Sequence, residues 1–161
     1  MSVPAGEFRN ALRKFASGVT IITVADGGEL HGMTASSFAS VSLDPPLVLV
    51  CLDKTSRTRD LVARTGTFAI NILRGDQEEA SRAFARAGVK PFATLAHRPG
   101  GNGAPLLDDA IAVLECNTYQ VFEAGDHDVV LGEVTSTASP GGDPLVYYDG
   151  AYRSLSSSND S

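Results

Sequence analysis

A chain of 161 residues has the length of one domain, and 43% hydrophobic against 20% charged residues is the balance of a folded globular protein. The formal net charge of −6 sets its surface against polyphosphate backbones and anionic lipid heads, which argues against nucleic acid and membrane partners. No apolar stretch approaches a membrane span of roughly 20 residues, and residues 1–7 have neither a basic start nor an apolar signal core.

Cys51 and Cys116 each lie in an apolar run and are too few for a disulfide scaffold, so both are read as reduced core residues of a cytoplasmic protein. One domain is expected over residues 1–155, followed by a polar, disordered tail over residues 156–161.

Phe8, Ala11, Leu12 and Phe15 recur at helical spacing, which predicts an amphipathic helix ending near Ser17. Residues 19–24 are β-branched and run into Asp26, Gly27 and Gly28, the composition of a tight hairpin turn. Residues 47–52 form a continuous apolar run after Pro45 and Pro46, as in a strand buried on both faces.

A helix is predicted over residues 59–64, a strand over 67–73, and a second helix over 77–86 with Asp76 as its cap. Residues 89–107 carry Pro91, Pro99, Pro105 and a glycine cluster, and read as a long irregular loop. Two long strands follow, over 110–122 and 129–137, then a short strand over 145–148 that turns at Asp149 and Gly150. Six or seven strands with two or three inserted helices predict a mainly β fold, a closed antiparallel barrel with peripheral helices.

Three segments carry candidate chemistry. Residues 32–42 place Thr34, Ser36, Ser37, Ser40 and Ser42 where a buried strand normally carries large apolar groups. Hydroxyls and accessible amides there suit a flat polar ring, and an exposed serine-rich strand has the same composition. The loop Asp53, Lys54, Thr55, Ser56, Arg57, Thr58 follows a strand and opens a helix, so it reads either as a phosphate cradle or as a solvated loop with a helix cap at Ser56 or Thr58. His127, between Asp126 and Asp128, sits at a strand turn where an imidazole would meet a ligand or solvent.

His31 and His97 have no partner at metal-ligand spacing, and no metal is predicted. No Gly-x-Ser-x-Gly elbow is present, and the glycine cluster at 100–103 does not link a strand to a helix, so a Rossmann dehydrogenase is excluded.

Taken in order, residues 18–23, Gly32 to Phe38, Ser40 to Ser42 with Pro45 and Pro46, the Ser56-x-Thr58 loop, residues 68–73, Gly125-Asp126-His127 and Gly132-Glu133-Val134 resemble the flavin reductase family. This family has the FMN-binding split barrel, a Greek-key-like antiparallel barrel, and supplies the small reductase component of two-component flavin-dependent monooxygenases.

The resemblance implies an NAD(P)H:flavin oxidoreductase that reduces FMN or FAD with NADH or NADPH, forms a homodimer and hands reduced flavin to a monooxygenase. It places the isoalloxazine ring on Thr34, Ala35, Ser36 and Ser37, the ribityl and phosphate groups on the loop from Asp53 to Thr58 through Ser56 and Thr58, and the nicotinamide on His127. Met33, Cys51, Leu52, Asp53 and Lys54 join the cofactor-binding set without a finer role. A looser match extends to Phe84, Arg86, Lys90 and Phe92, toward the outer flavin or a second nucleotide. Two other readings keep the barrel: a flavoprotein with permanently bound FMN that oxidises a dedicated substrate, and a non-catalytic flavin-binding protein.

Overall fold

The computed structural model describes residues 2–155, and the tail expected to be disordered, residues 156–161, lies outside the described residues. The chain opens with α1 (Ala5–Leu12) and β1 (Ser17–Gly18). Two hairpins follow: β2 (Thr20–Asp26) with β3 (Glu29–Ala35), and β4 (Phe38–Leu43) with β5 (Pro46–Asp53). Then come α2 (Arg57–Thr65), β6 (Thr67–Ile72) and α3 (Glu78–Ala85). The short β7 (His97–Pro99) and β8 (Pro105–Leu107) precede β9 (Ala112–Ala124), β10 (His127–Ala138), β11 (Val146–Tyr148) and β12 (Ala151–Arg153).

Seven strands form one antiparallel sheet in the order β3-β2-β6-β9-β10-β5-β4. All seven contribute to a single interior cluster that includes Ile22, Met33, Phe38, Val50, Phe68, Cys116 and Val130, so the sheet curls around its own core. The two edges, β3 and β4, are consecutive in sequence yet share no ladder. The barrel therefore stays split at the Ser36–Ser37 corner, as the family resemblance implied, where the number and spacing of strands alone predicted closure.

A second cluster covers the outside of β2 and β6, where Ile21, Ala69 and Val113 meet Phe84, Leu106 and Leu145. Asn71 is buried at its centre: its amide donates to the Ile21 carbonyl (3.0 Å) and Thr23 Oγ1 (3.1 Å), and its oxygen accepts from Leu107 N (2.8 Å). These bonds pin the β7–β8 hairpin to the barrel wall, so the stretch expected to be irregular contains a regular ladder.

Several expected boundaries move for local reasons. The first helix stops at Leu12 and not near Ser17, because Lys14 N and Phe15 N tighten onto the Ala11 and Leu12 carbonyls and Ser17 then pairs with Tyr147. Its apolar face is not covered: Phe8, Leu12 and Phe15 are exposed.

Asp76 does not cap α3. Both its oxygens are taken by Arg74, at 2.7 and 2.8 Å, and Gln77 occupies the cap position. The run at 47–52 is buried through Val48, Val50 and Leu52, while Leu49 and Cys51 are half-buried. The turn between β2 and β3 needs positive φ at both Gly27 (+56°) and Gly28 (+89°), as the sequence indicated. Among the described residues no helix is long and apolar enough to cross a membrane.

Candidate active site

The site begins where β5 ends. Asp53 closes the strand with an Asx turn: its Oδ1 accepts from Thr55 N (2.7 Å) and Thr55 Oγ1 (2.6 Å), and these bonds hold the carboxyl below the usual range. The chain then enters α2 through Ser56, which is extended (φ −78°, ψ 139°) and accepts from Arg59 N through its hydroxyl (3.0 Å). Asp60 N reaches the Ser56 carbonyl, which leaves the amides of Arg57 and Thr58 as the unspent donors of this helix end. Two free N–H groups on the positive end of a helix suit an anionic oxygen.

These residues line a cleft of about 400 Å³ whose other walls include Met33, Phe84 and Arg86. His31 also faces it. Its Nδ1 lies 2.9 Å from Thr58 Oγ1, and Thr58 is itself fully buried. Burial, reinforced by Lys90, pushes the imidazole below its ordinary value, with Glu29 opposing. The ring is thus neutral near pH 7.

Arg57 turns away from the cleft floor into a two-pronged pair with Glu29, at 2.9 and 2.7 Å. A neighbouring hollow of about 650 Å³ shares His31, Arg57, Gly88 and Lys90 with the cleft and continues to Phe92. Lys90 caps the end of α3 by donating to the Phe84 (3.1 Å) and Arg86 carbonyls.

Phe84 is 1% exposed and forms the joint between cleft and core, with Phe92 edge-on at 5.2 Å. A Cβ on Gly32 would stand 3.0 Å from the Phe84 ring and 2.8 Å from the Ile22 carbonyl, so only glycine fits between β2 and α3. On the same side of β3, Thr34 Oγ1 donates to the Ser81 carbonyl (2.6 Å). Thr34 and Ser36 line a smaller cavity of about 220 Å³ with Ser81, Tyr147 and Tyr152.

The candidate residues thus divide. Met33, Asp53, Ser56, Thr58, Phe84 and Arg86 meet around one cleft, with Phe92 in the hollow beside it and Thr34 and Ser36 in the cavity beyond. Ser37 Oγ ties the corner between β3 and β4 to β5 by accepting from Cys51 N and donating to the Cys51 carbonyl, at 3.1 Å each. Ala35 and Leu52 are buried, so neither presents a side chain to a ligand. Lys54 N donates to the Asp126 carbonyl (3.0 Å), which ties the cleft loop to the Gly125-Asp126 turn. His127 opens β10 directly opposite Asp53 and is oriented by Asp126 Oδ1 at 2.7 Å.

Sequence reasoning passed over His31 as a cleft residue. The available signal was its position two residues before Met33 on one strand, which places both side chains on one face. Cys116 is buried, its thiol pushed up to about 12, and neither cysteine is paired.

The sequence profile described as a flavin reductase like domain matches residues 12–156. The chain belongs to this family. The NADH-dependent flavin reductase of a Rhodococcus species is 45% identical over 150 residues, covering 91% of this chain and 84% of that protein. A probable flavin reductase of Rhizobium meliloti (strain 1021) is 44% identical over 145 residues; this covers 89% of the chain but 47% of the relative, so the chain spans about half of its length.

Other relatives bear the names of reductase components or subunits of flavin-dependent monooxygenases. The solved structure of the Streptomyces globisporus C-1027 NADH:FAD oxidoreductase SgcE6 in complex with NAD and FAD fragments superposes with a TM-score of 0.92 at 38% identity, covering 96% of this chain and 94% of that one.

Proposed function

We propose that this flavin reductase-family chain binds FMN or FAD in the cleft at the start of α2, reduces it with NADH or NADPH, and passes the reduced flavin to a monooxygenase. The observation that carries this reading is the pair of unspent amides of Arg57 and Thr58 on a cleft walled by Met33, Ser56 and Phe84. A flavin phosphate needs donors of this kind, and a ring system needs the long, partly apolar trough that leads from them.

Flavin supplies the redox chemistry, accepting hydride from the nicotinamide, so the protein's task is alignment and electrostatics. The α2 amides hold the phosphate. His31, neutral and fixed by Thr58, presents its other ring nitrogen to the cleft. Thr34 and Ser36 supply hydroxyls toward the ring, and Cys51, joined to Ser37, fixes the corner between β3 and β4 through its backbone. His127 orients the nicotinamide from the rim opposite Asp53, and Arg86 and Phe92 take the outer part of the nucleotide.

Phe8, Leu12 and Phe15 leave an apolar stripe along α1 and its extension, with Phe15 79% exposed, which supports a homodimer that covers it. Two unpaired thiols and dependence on reduced nicotinamide support a cytoplasmic setting. The names of the monooxygenase reductase components among the relatives support the partner assignment.

The site assignment is tested by His127→Ala, assayed by anaerobic stopped flow. An orienting role predicts a raised KM for NADH and hydride transfer slowed by about 10- to 100-fold, with flavin affinity unchanged. Unchanged single-turnover reduction would remove His127 from the site.

A further inference from the structure

His31 belongs to none of the sequence motifs that mark the flavin cleft, yet it lines that cleft beside Ser56 and Thr58. Its Nδ1 is 2.9 Å from Thr58 Oγ1, and Thr58 is fully buried, so the ring is fixed against a residue whose amide is one of the two unspent donors of α2. Among the described residues the buried side-chain atoms without a partner are Thr118 Oγ1 and Asp128 Oδ1, so His31 Nε2, which has no partner in the protein, is open to the cleft. With Nδ1 accepting from the threonine, the neutral ring carries its hydrogen on Nε2 and is a donor beside the amides of Arg57 and Thr58. A single phosphate group spans donors this close.

The surroundings of the ring favour an anion. Arg57 approaches from α2, Arg86 and Lys90 from the segment after α3, Asp53 from the end of β5, and Glu29 from β3 itself. Glu29 is taken by Arg57, at 2.9 and 2.7 Å, and Lys90 is tied to the carbonyls of Phe84 and Arg86 rather than to a carboxylate. The cleft is thus locally basic on a chain of net charge −6. His127 stands across the ladder from Asp53, at the rim.

Without a ligand the ring resists a proton: burial first, then Lys90 and Arg57, hold it below its ordinary value against the pull of Glu29. A phosphate beside Nε2 reverses that balance, because an opposite charge in contact favours the imidazolium. Thr58 serves either state, since a hydroxyl can donate to the neutral Nδ1 and accept from the charged one. Asp53 is held below the usual carboxylate range by Thr55 and stays ionised near neutrality, so it does not take the proton.

We propose that His31 is a phosphate-binding residue of the flavin cleft, its Nε2–H donating to the flavin phosphate beside the Arg57 and Thr58 amides. The inference rests on the flavin reading of that cleft. A proton moves from solvent onto Nδ1 as the phosphate docks, so the chain holds flavin nucleotides more tightly in acid and releases them more readily above neutrality.

The test is the pH dependence of flavin binding, followed by fluorescence quenching in the wild type and in His31→Gln, which keeps a neutral donor but cannot titrate. FAD is the probe, because its phosphates do not ionise near neutrality, whereas the phosphate of FMN has its own step at about pH 6. Wild-type affinity for FAD should rise by about tenfold from pH 8 to pH 6, and that of His31→Gln should change by less than about twofold. Riboflavin, which lacks the phosphate, should show no such dependence in either protein. Calorimetry at pH 7 in buffers of different ionisation heat should show proton uptake with FAD. The ring resonances of His31 in the wild type should move to those of the imidazolium, which reads the same event without a variant.

A rise of equal size in His31→Gln would give the proton to Lys90, His127 or another group and overturn the inference. So would a rise shared by riboflavin, which would put the ring on the ribityl chain, or the same proton uptake with NAD alone, which would put the other nucleotide's phosphates here. FAD binding that is independent of pH overturns this inference and leaves the cleft assignment standing, whereas failure of FAD, FMN and riboflavin alike to bind overturns both.

Discussion

Thr58 Oγ1 and His31 Nδ1, 2.9 Å apart, join the first turn of α2 to the strand that forms one wall of the cleft. The threonine is fully buried, so its hydroxyl has no water to fall back on, and the imidazole is held in one orientation. Thr58→Val keeps the shape and removes the bond. It should cost about 1 kcal/mol of stability and weaken flavin binding, measured by fluorescence quenching, whereas Thr58→Ser should restore the affinity. Equal affinity in all three proteins would detach His31 from the site.

Stability should fall with acid in a way that reports His31. Burial, with help from Lys90, depresses its folded value, so the unfolded chain takes the proton first as pH drops below about 6.5. The contribution of His31 is therefore complete above that pH and is lost as pH falls through the folded value. Between pH 7 and pH 5 the Tm of His31→Gln should decline less than that of the wild type in thermal scans. Parallel declines would show that His31 titrates alike in both states.

Gly32→Ala should be disruptive although alanine is the smallest change available. The new Cβ meets the Ile22 carbonyl at 2.8 Å, which no rotamer relieves, and the Phe84 ring at 3.0 Å. The expected cost is about 1–3 kcal/mol in denaturant unfolding. Flavin affinity should fall with it, because Phe84 moves with α3. A protein of wild-type stability would contradict the close approach of β2, β3 and α3.

Assignment of the phosphate to backbone amides has its own test. Ser56 is extended and Arg57 opens the helix, so proline is sterically acceptable at 57 while removing one free N–H. Arg57→Ala keeps that amide and loses only the exposed pair with Glu29. Arg57→Pro should bind FMN at least about tenfold more weakly than Arg57→Ala, and riboflavin, which lacks the phosphate, should not distinguish them. Equal FMN affinities would place the phosphate elsewhere.

Much of this architecture was legible because its signals are local. Gly27 and Gly28 announce the β2–β3 turn, the β-branched run of residues 19–24 marks a strand, and the motifs around Thr34, Ser56 and His127 carry the family resemblance. What sequence reading missed depends on contacts between distant residues. His31 has no partner nearby in the chain and becomes a cleft residue only when α2 brings Thr58 against it.

The segment at 97–107 looks irregular until Asn71 supplies the bonds that order it. The hydroxyl of Ser56, plausible as a phosphate ligand, is taken by its own helix. The first helix was overextended because Phe15 continues its apolar period, while the pairing of Ser17 with Tyr147 across the molecule ends it.

The central claim is that the chain reduces flavin at the expense of reduced nicotinamide. NADH consumption followed at 340 nm under anaerobic conditions, with FMN or FAD in molar excess over the purified protein, tests it most directly. Loss of NADH matched one for one by bleaching of added flavin, over many turnovers and dependent on both, is the predicted result. No NADH loss with either flavin or with NADPH in its place, or reduction that stops after one equivalent of tightly held flavin, would contradict it.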